Sequence, residues 1–346
     1  MPGALARPRA RPVAAGLAVV AGLAIAGCAH VPSPVGAAVP PTSPSARSSP
    51  GGASASGAVA PLTGLSASPA DAARPAVALD VAGPNPRGLT AADVVFEEIT
   101  SPVRYIAVYQ SRDASGVGPI TTTQPTDRAA LSALGSIVGY NNAAAPRFIK
   151  LLDHSKITDA GYSGHASLYS SGAGGLATST RAISRVAPHA AAPQPLFSYR
   201  GAGVGDTLAG KEFRCTSVSV AMPGSGTQEW VFNQRADRWD LTRNGPRGIA
   251  VANLVVQMVS YKQNNVQGVA VPTAEITGTG KAEVFSGAVA GGSGGSCAVG
   301  TWSKPHINDI TNYFDSTGTP MAFQPGPTWV VFAPPATHVS TAGAQG

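Results

Sequence analysis

From about Phe197 onward the chain is a succession of short runs rich in β-branched and aromatic residues, each closed by Gly, Pro, Asn or Asp. Runs of this length suit pleated strands and leave no room for long helices. Strands are expected at residues 213–220, 229–233, 251–261, 274–276, 282–285, 298–303 and 328–332. That pattern predicts a sandwich or barrel.

The preceding stretch is more mixed. RPAVALDV (74–81), ADVVFEEI (92–99) and VRYIAVYQ (103–110) read as strands. TDRAALSALGSIVGY (126–140) reads as a helix with Thr126 as N-cap, because Leu131, Leu134 and Val138 recur at helical spacing. A second short helix is expected around 146–154 and a helical turn over 181–189, ended by Pro188, while 161–180 is weakly patterned. The predicted fold class is α+β: a mixed α/β N-terminal domain (61–195), a β-rich C-terminal domain (196–335) and a flexible tail (336–346). The boundary falls in the Pro/Gly-rich APQPLFSYRGAGVGD (192–206).

The first 60 residues belong to neither domain. Arg7, Arg9 and Arg11 precede a 15-residue apolar run, VAAGLAVVAGLAIAG (13–27). It is shorter than the about 20 residues that span a bilayer and fits the apolar region of a secretory signal. Ile25-Ala26-Gly27-Cys28 follows and resembles the lipobox of bacterial lipoproteins, in which the cysteine is diacylated and becomes the mature N-terminus. Two acyl chains anchor stably where one is marginal, so residues 1–27 are expected to be a signal peptide and Cys28 a membrane tether on the outer face. Residues 28–60, nearly all Pro, Ser, Ala, Gly, Val and Thr, have too little apolar surface to fold and read as a stalk.

Charge follows from this division. The chain has 24 basic and 18 acidic residues; with Arg7, Arg9 and Arg11 removed it has 21 against 18, about +3. Nothing in that balance calls for a nucleic-acid partner. Cys215 and Cys297 remain, and an exported two-thiol protein is expected to pair them.

In order along the chain, RPAVALDVAGPNPRGLTAADVVFEE, VRYIAVYQS and GVGPITTTQPTD resemble the N-terminal half of the YerB-like lipoproteins. NLVVQMVSY, TGTGKAEVFSGAV and GTWSK…YFDSTGTPMAFQPGPTWVVFAP resemble the C-terminal half. The resemblance implies a two-domain surface lipoprotein of a family without an established biochemical activity. Asp93, Glu97 and Arg104 match the family pattern, as does the Arg185…Pro188-His189 segment. Where that pattern tends to read GPVRSAR, this chain has Gly118-Pro119-Ile120-Thr121-Thr122-Thr123-Gln124, so both arginines are missing.

The candidate ligand or catalytic residues are Asp80, Asp93, Glu97, Arg104 and His189. Asp93 and Glu97, four residues apart on one strand face, fit general acid–base work on a glycan. They fit equally a structural network closed by Arg104, the reading favoured here because no spacing fixes a reacting geometry. Asp127 reads as a first-turn charge favoured by the helix dipole, and a lone His189 as a hydrogen-bonded structural residue. Trp230, Trp239, Trp302 and Trp329 read as core before sugar platform. Gly205…Gly210-Lys211 imitates a phosphate loop but continues with Glu212, and Gly291–Gly295 matches a nucleophile elbow only because it is a Gly/Ser repeat. No metal or cofactor is expected. The favoured function is non-catalytic binding of peptidoglycan or another envelope component; the alternative is a glycan- or peptidoglycan-processing enzyme.

Overall fold

The computed structural model describes residues 57–83, 85–142, 150, 152, 155–201, 207–266, 268–288 and 293–343. The expected signal segment, Cys28, residues 28–56 of the expected stalk and most of the helix expected at 146–154 lie outside the described residues.

Val77–Ala82 (β1), Val94–Glu98 (β2) and Arg104–Tyr109 (β3) are strands in which every residue is buried. Covered on both faces, they read as near-continuous apolar runs instead of alternating ones. Pro125–Leu131 (α1) is the part of the expected 126–140 helix that forms. Its N-cap is Gln124, not Thr126: Pro125 takes the first helical position, and the Gln124 N–H donates to the Asp127 carboxylate at 2.7 Å. The helix closes at Ser132, Gly135 turns the chain at φ +60°, and Ile137–Gly139 (β4) pairs in parallel with β1. Leu131, Leu134 and Val138 all reach one core, but from a helix, a turn and a strand. Thr158–Asp159 (β5) pairs in parallel with β4. The helical turn expected over 181–189 is shorter, Thr180–Ser184, with Ser179 Oγ accepting from Ala182 N at 3.1 Å.

The second half supplies Phe213–Cys215 (β6), Ser217–Met222 (β7), Gly226–Asn233 (β8), Arg238–Arg243 (β9), Ala250–Val251 (β10), Asn253–Met258 (β11) and Tyr261–Val266 (β12). Val269–Ala274 (β13), Gly278–Ser286 (β14), Gly295–Lys304 (β15), Asn312–Asp315 (β16), Thr328–Ala333 (β17) and His338–Ala342 (β18) complete it. β18 lies inside the stretch expected as a tail and pairs with β7, Val339 opposite Val220.

Eleven strands form one sheet in the order β6-β15-β14-β11-β17-β2-β3-β1-β4-β5, with β16 beside β15. Both halves of the sequence build it, meeting where β17 runs parallel to β2 with Val331 opposite Glu97 and Phe332 opposite Glu98. The second sheet, β10-β9-β8-β7-β18, packs Trp230, Phe232 and Trp239 onto the face carrying Val95, Tyr105 and Trp329. The opposite face, with Phe96, Ile106 and Phe332, is covered by α1, Phe197 and Phe323. The described residues are therefore mostly β, and all four tryptophans are buried.

Cys215 and Cys297 are bonded, joining β6 to β15 across a sequence separation of 82. A loop of that size is stabilised by about 4 kcal/mol on chain-entropy grounds. Replacing both cysteines with Ala is expected to lower the urea midpoint accordingly, and an unchanged midpoint would remove the disulfide from the account of stability.

Candidate functional site

The strand β2 ends in Glu97-Glu98, and strand alternation sends the two side chains to opposite faces. Both are buried, 1% and 0% exposed. Each face gathers its own constellation.

On one face, β2 and β3 place Glu98 opposite Arg104, while β1 brings Asp80 and α1 brings Asp127. The Arg104 guanidinium donates to Asp80 Oδ1 at 2.9 Å and to Glu98 Oε2 at 2.6 and 3.0 Å, and it also bonds Asp127. Thr126 Oγ1 and the Ala274 N–H donate to Glu98 Oε1, at 2.5 and 3.2 Å; Thr123 Oγ1 donates to Asp127 Oδ2 at 2.5 Å. Three buried carboxylates thus share one buried cation. Burial, and next the Asp127 carboxylate, push the Asp80 pKa well above its usual range, outweighing the pull of Arg104. Asp80 Oδ2 is buried without a hydrogen-bond partner.

On the other face, Glu97 has no cationic partner among the described residues. Gln228 Nε2 donates to its Oε1 and Trp329 Nε1 to its Oε2, both at 2.7 Å, while Trp230 Nε1 donates to Gln228 Oε1 at 3.2 Å. Burial raises the Glu97 pKa against the pull of those two donors. Glu97 borders a cleft of about 380 Å³ between the two sheets, shared with Tyr105, Met222, Gln228 and Asn244. Burial, and next the Glu97 charge, also raise the Tyr105 hydroxyl.

Asp93 lies just before β2 and turns toward the end of β3. It accepts from Gln110 N at 2.6 Å, Ser111 N at 2.7 Å and Ser111 Oγ at 2.5 Å. Burial raises its pKa despite these bonds. It borders a different cleft, of about 260 Å³, together with Ser66, Asp71, Arg112 and Arg238. Four residues of strand separate the Cα atoms of Asp93 and Glu97 by about 13 Å. The two carboxyls border separate clefts and do not face one site as a glycosidase pair does.

The structure brings Asp80 and Arg104 together and separates them from Glu97 by the thickness of the sheet; Asp93 stands apart from both. His189 is exposed in the turn beyond the Thr180–Ser184 helix and makes none of these bonds. Glu98 and Asp127 are the members that sequence reading missed. Strand parity was the available signal for Glu98, which shares a face with Val94 and Phe96. Thr121 and Gln124, the two positions where arginines were expected from the family resemblance, flank the Arg104 cluster: Thr121 N donates to Asp80 O at 2.8 Å, and Gln124 caps α1. Among the described residues no group of three or more His, Cys, Asp or Glu is arranged to hold a metal ion.

Arg104→Met would strand buried carboxylates and is expected to cost about 3–5 kcal/mol in urea unfolding; a loss under about 1 kcal/mol would mean the cluster is relaxed or wet. Asp80 also gives the cluster a pH signature. Its folded pKa lies above the unfolded value of about 3.9, so its contribution is complete below that pH and is lost as pH rises through the folded value. Asp80→Asn should lose less stability than wild type above about pH 4. Parallel stability–pH curves would contradict this.

No curated protein sequence matches the chain. The crystal structure of the YerB protein from Bacillus subtilis matches with a TM-score of 0.63 at 20% sequence identity, covering 82% of this chain and all of that one. At that identity the likeness speaks to the fold alone. Two family models match in order: the N-terminal domain of the protein of unknown function DUF3048 over residues 62–196, and its C-terminal domain over residues 218–330. The chain belongs to this YerB-like family, defined by paired DUF3048 N- and C-terminal domains.

Proposed function

We propose that the protein is a lipoprotein held on the outer face of the cell membrane by an acylated Cys28, and that its folded part is a non-catalytic module binding an envelope polymer or an envelope protein. The anchor rests on the basic start, the 15-residue apolar run and Ile25-Ala26-Gly27-Cys28. In this reading residues 61–195 are a mixed α/β unit and 196–335 a β-rich one, presented beyond a stalk.

One observation supports binding over catalysis: the candidate carboxylates are engaged by the chain's own donors. Asp93 accepts three hydrogen bonds, Glu97 accepts two, and Asp80 is tied to Arg104. Asp93 and Glu97, the pair proposed for acid–base work, border separate clefts. The second reading, an enzyme of glycan or peptidoglycan processing, is favoured by Glu97 alone: a buried carboxyl with a raised pKa beside a cleft.

Incubation of the protein with purified peptidoglycan distinguishes the readings. Co-sedimentation without soluble fragments is expected. Fragments that vanish in Glu97→Gln, with folding checked by circular dichroism, would replace binding with catalysis. That variant also has a structural cost: a single amide oxygen cannot serve both Gln228 and Trp329, so a loss of about 1–3 kcal/mol is expected. The anchor is tested separately. Cys28→Ser is expected to move the protein from the membrane to the soluble fraction, and retention in the membrane would refute acylation at Cys28.

A further inference from the structure

The Asp93 cleft has a neighbour. A second cleft, of about 210 Å³, is bordered by Arg74, Tyr109, Arg112, Thr180 and Arg185. Arg112 borders both, so the two clefts adjoin along one surface. The charges around them are unequal in availability. Arg74 and Arg181 are both held by Asp113, and Asp71 lies 4.0 Å from Arg74. Asp93 is buried, accepts from three donors and also feels the Arg112 charge, which draws its pKa down. Arg112, Arg185 and Arg238 are exposed and, among the described residues, belong to no salt bridge. The acids of this surface are thus engaged within the chain, Asp93 in part by the nearby Arg112 charge, while all three guanidinium groups are exposed across two joined depressions, with the hydroxyl-bearing Ser66 and Ser184 beside them.

A guanidinium fork fits the paired oxygens of a phosphate. Each exposed contact of this kind is individually weak in water, so a single small anion gains little here. A flexible chain carrying repeated anionic groups can engage the three arginines in turn, each contact raising the effective concentration for the next. We propose that the two clefts joined at Arg112 form a binding track for an envelope polymer of the polyol-phosphate class, with Arg112, Arg185 and Arg238 as the phosphate contacts. The proposal rests on the envelope-binding reading above and gives it a ligand class and a surface.

The test uses the full acylated chain in detergent and a purified poly(glycerol phosphate) polymer, with affinity read by biolayer interferometry at low and high salt. Wild type is expected to bind, with affinity falling as salt rises. Arg112→Glu/Arg238→Glu is expected to weaken binding by about tenfold or more. Arg185→Glu, in the other cleft, is expected to weaken it independently, with the thermal midpoint unchanged in each case because these side chains are exposed. Binding unaltered by both variants would overturn the proposal. So would equal binding of polygalacturonate, which has carboxylates in place of phosphodiesters. If wild type ignores the polymer but still sediments with peptidoglycan, this track is wrong and the envelope-binding reading stands; if it binds neither, both fall.

Discussion

Two glutamates side by side in one buried strand are the constraint on which the rest of the structure hangs. A carboxylate moved from water into a protein interior costs several kcal/mol unless donors meet it. Glu97 and Glu98 make that demand on opposite faces of the same sheet. Glu98 is met mainly from nearby, by Arg104 and Thr126, with Ala274 the one distant donor at 176 residues, whereas both donors to Glu97 come from far along the chain, Gln228 at 131 residues and Trp329 at 232. β2 is consequently stable only when both covering layers are in place. The parallel partner β17 carries Trp329, so the strand that extends the sheet also supplies one of the donors. A fold tied by contacts this distant is dominated by non-local pairing.

The same constraint separates structure from function in the acidic residues. The interior acids stabilise the fold by being occupied, and occupation removes them from chemistry with an external ligand. The hairpin β12–β13 shows how far the arrangement reaches. Tyr261 OH accepts from Ile99 N at 2.8 Å and donates to Phe332 O at 2.7 Å, pinning the hairpin across the ends of β2 and β17. What remains open to a partner lies at the strand ends and in the turns, where exposed arginines border the clefts. Loops set on a rigid sheet are where binding groups generally sit.

Much of the sheet was legible in the sequence because its central strands are apolar on both faces. Val77–Ala82, Val94–Glu98 and Thr328–Ala333 announce themselves as β-branched runs. Tyr261–Val266, YKQNNV, does not, because its strand character comes from cross-strand pairing with Val269–Ala274 and not from an apolar face. Ile137–Gly139 was hidden by coincidence: Leu131, Leu134 and Val138 keep a helical rhythm that the backbone abandons after Ser132, turning at Gly135. Of the candidate site, a carboxylate network closed by Arg104 was legible, but its members were not: Arg104 bonds Asp80, Glu98 and Asp127 in place of the expected Asp93 and Glu97. Asp93 and Glu97 do share strand parity, yet one turns to the end of β3 and the other into the tryptophan face.

If the buried Glu97–Glu98 strand joins the two halves into one cooperative structure, neither half can satisfy it alone. The direct measurement is to express residues 57–195 and 196–343 separately and record amide spectra of each and of their mixture. Poorly dispersed spectra for the separate halves, with native dispersion restored on mixing, are the predicted result. A well-dispersed, cooperatively melting N-terminal half on its own would contradict it, because Glu97 would then be tolerated without Gln228 and Trp329.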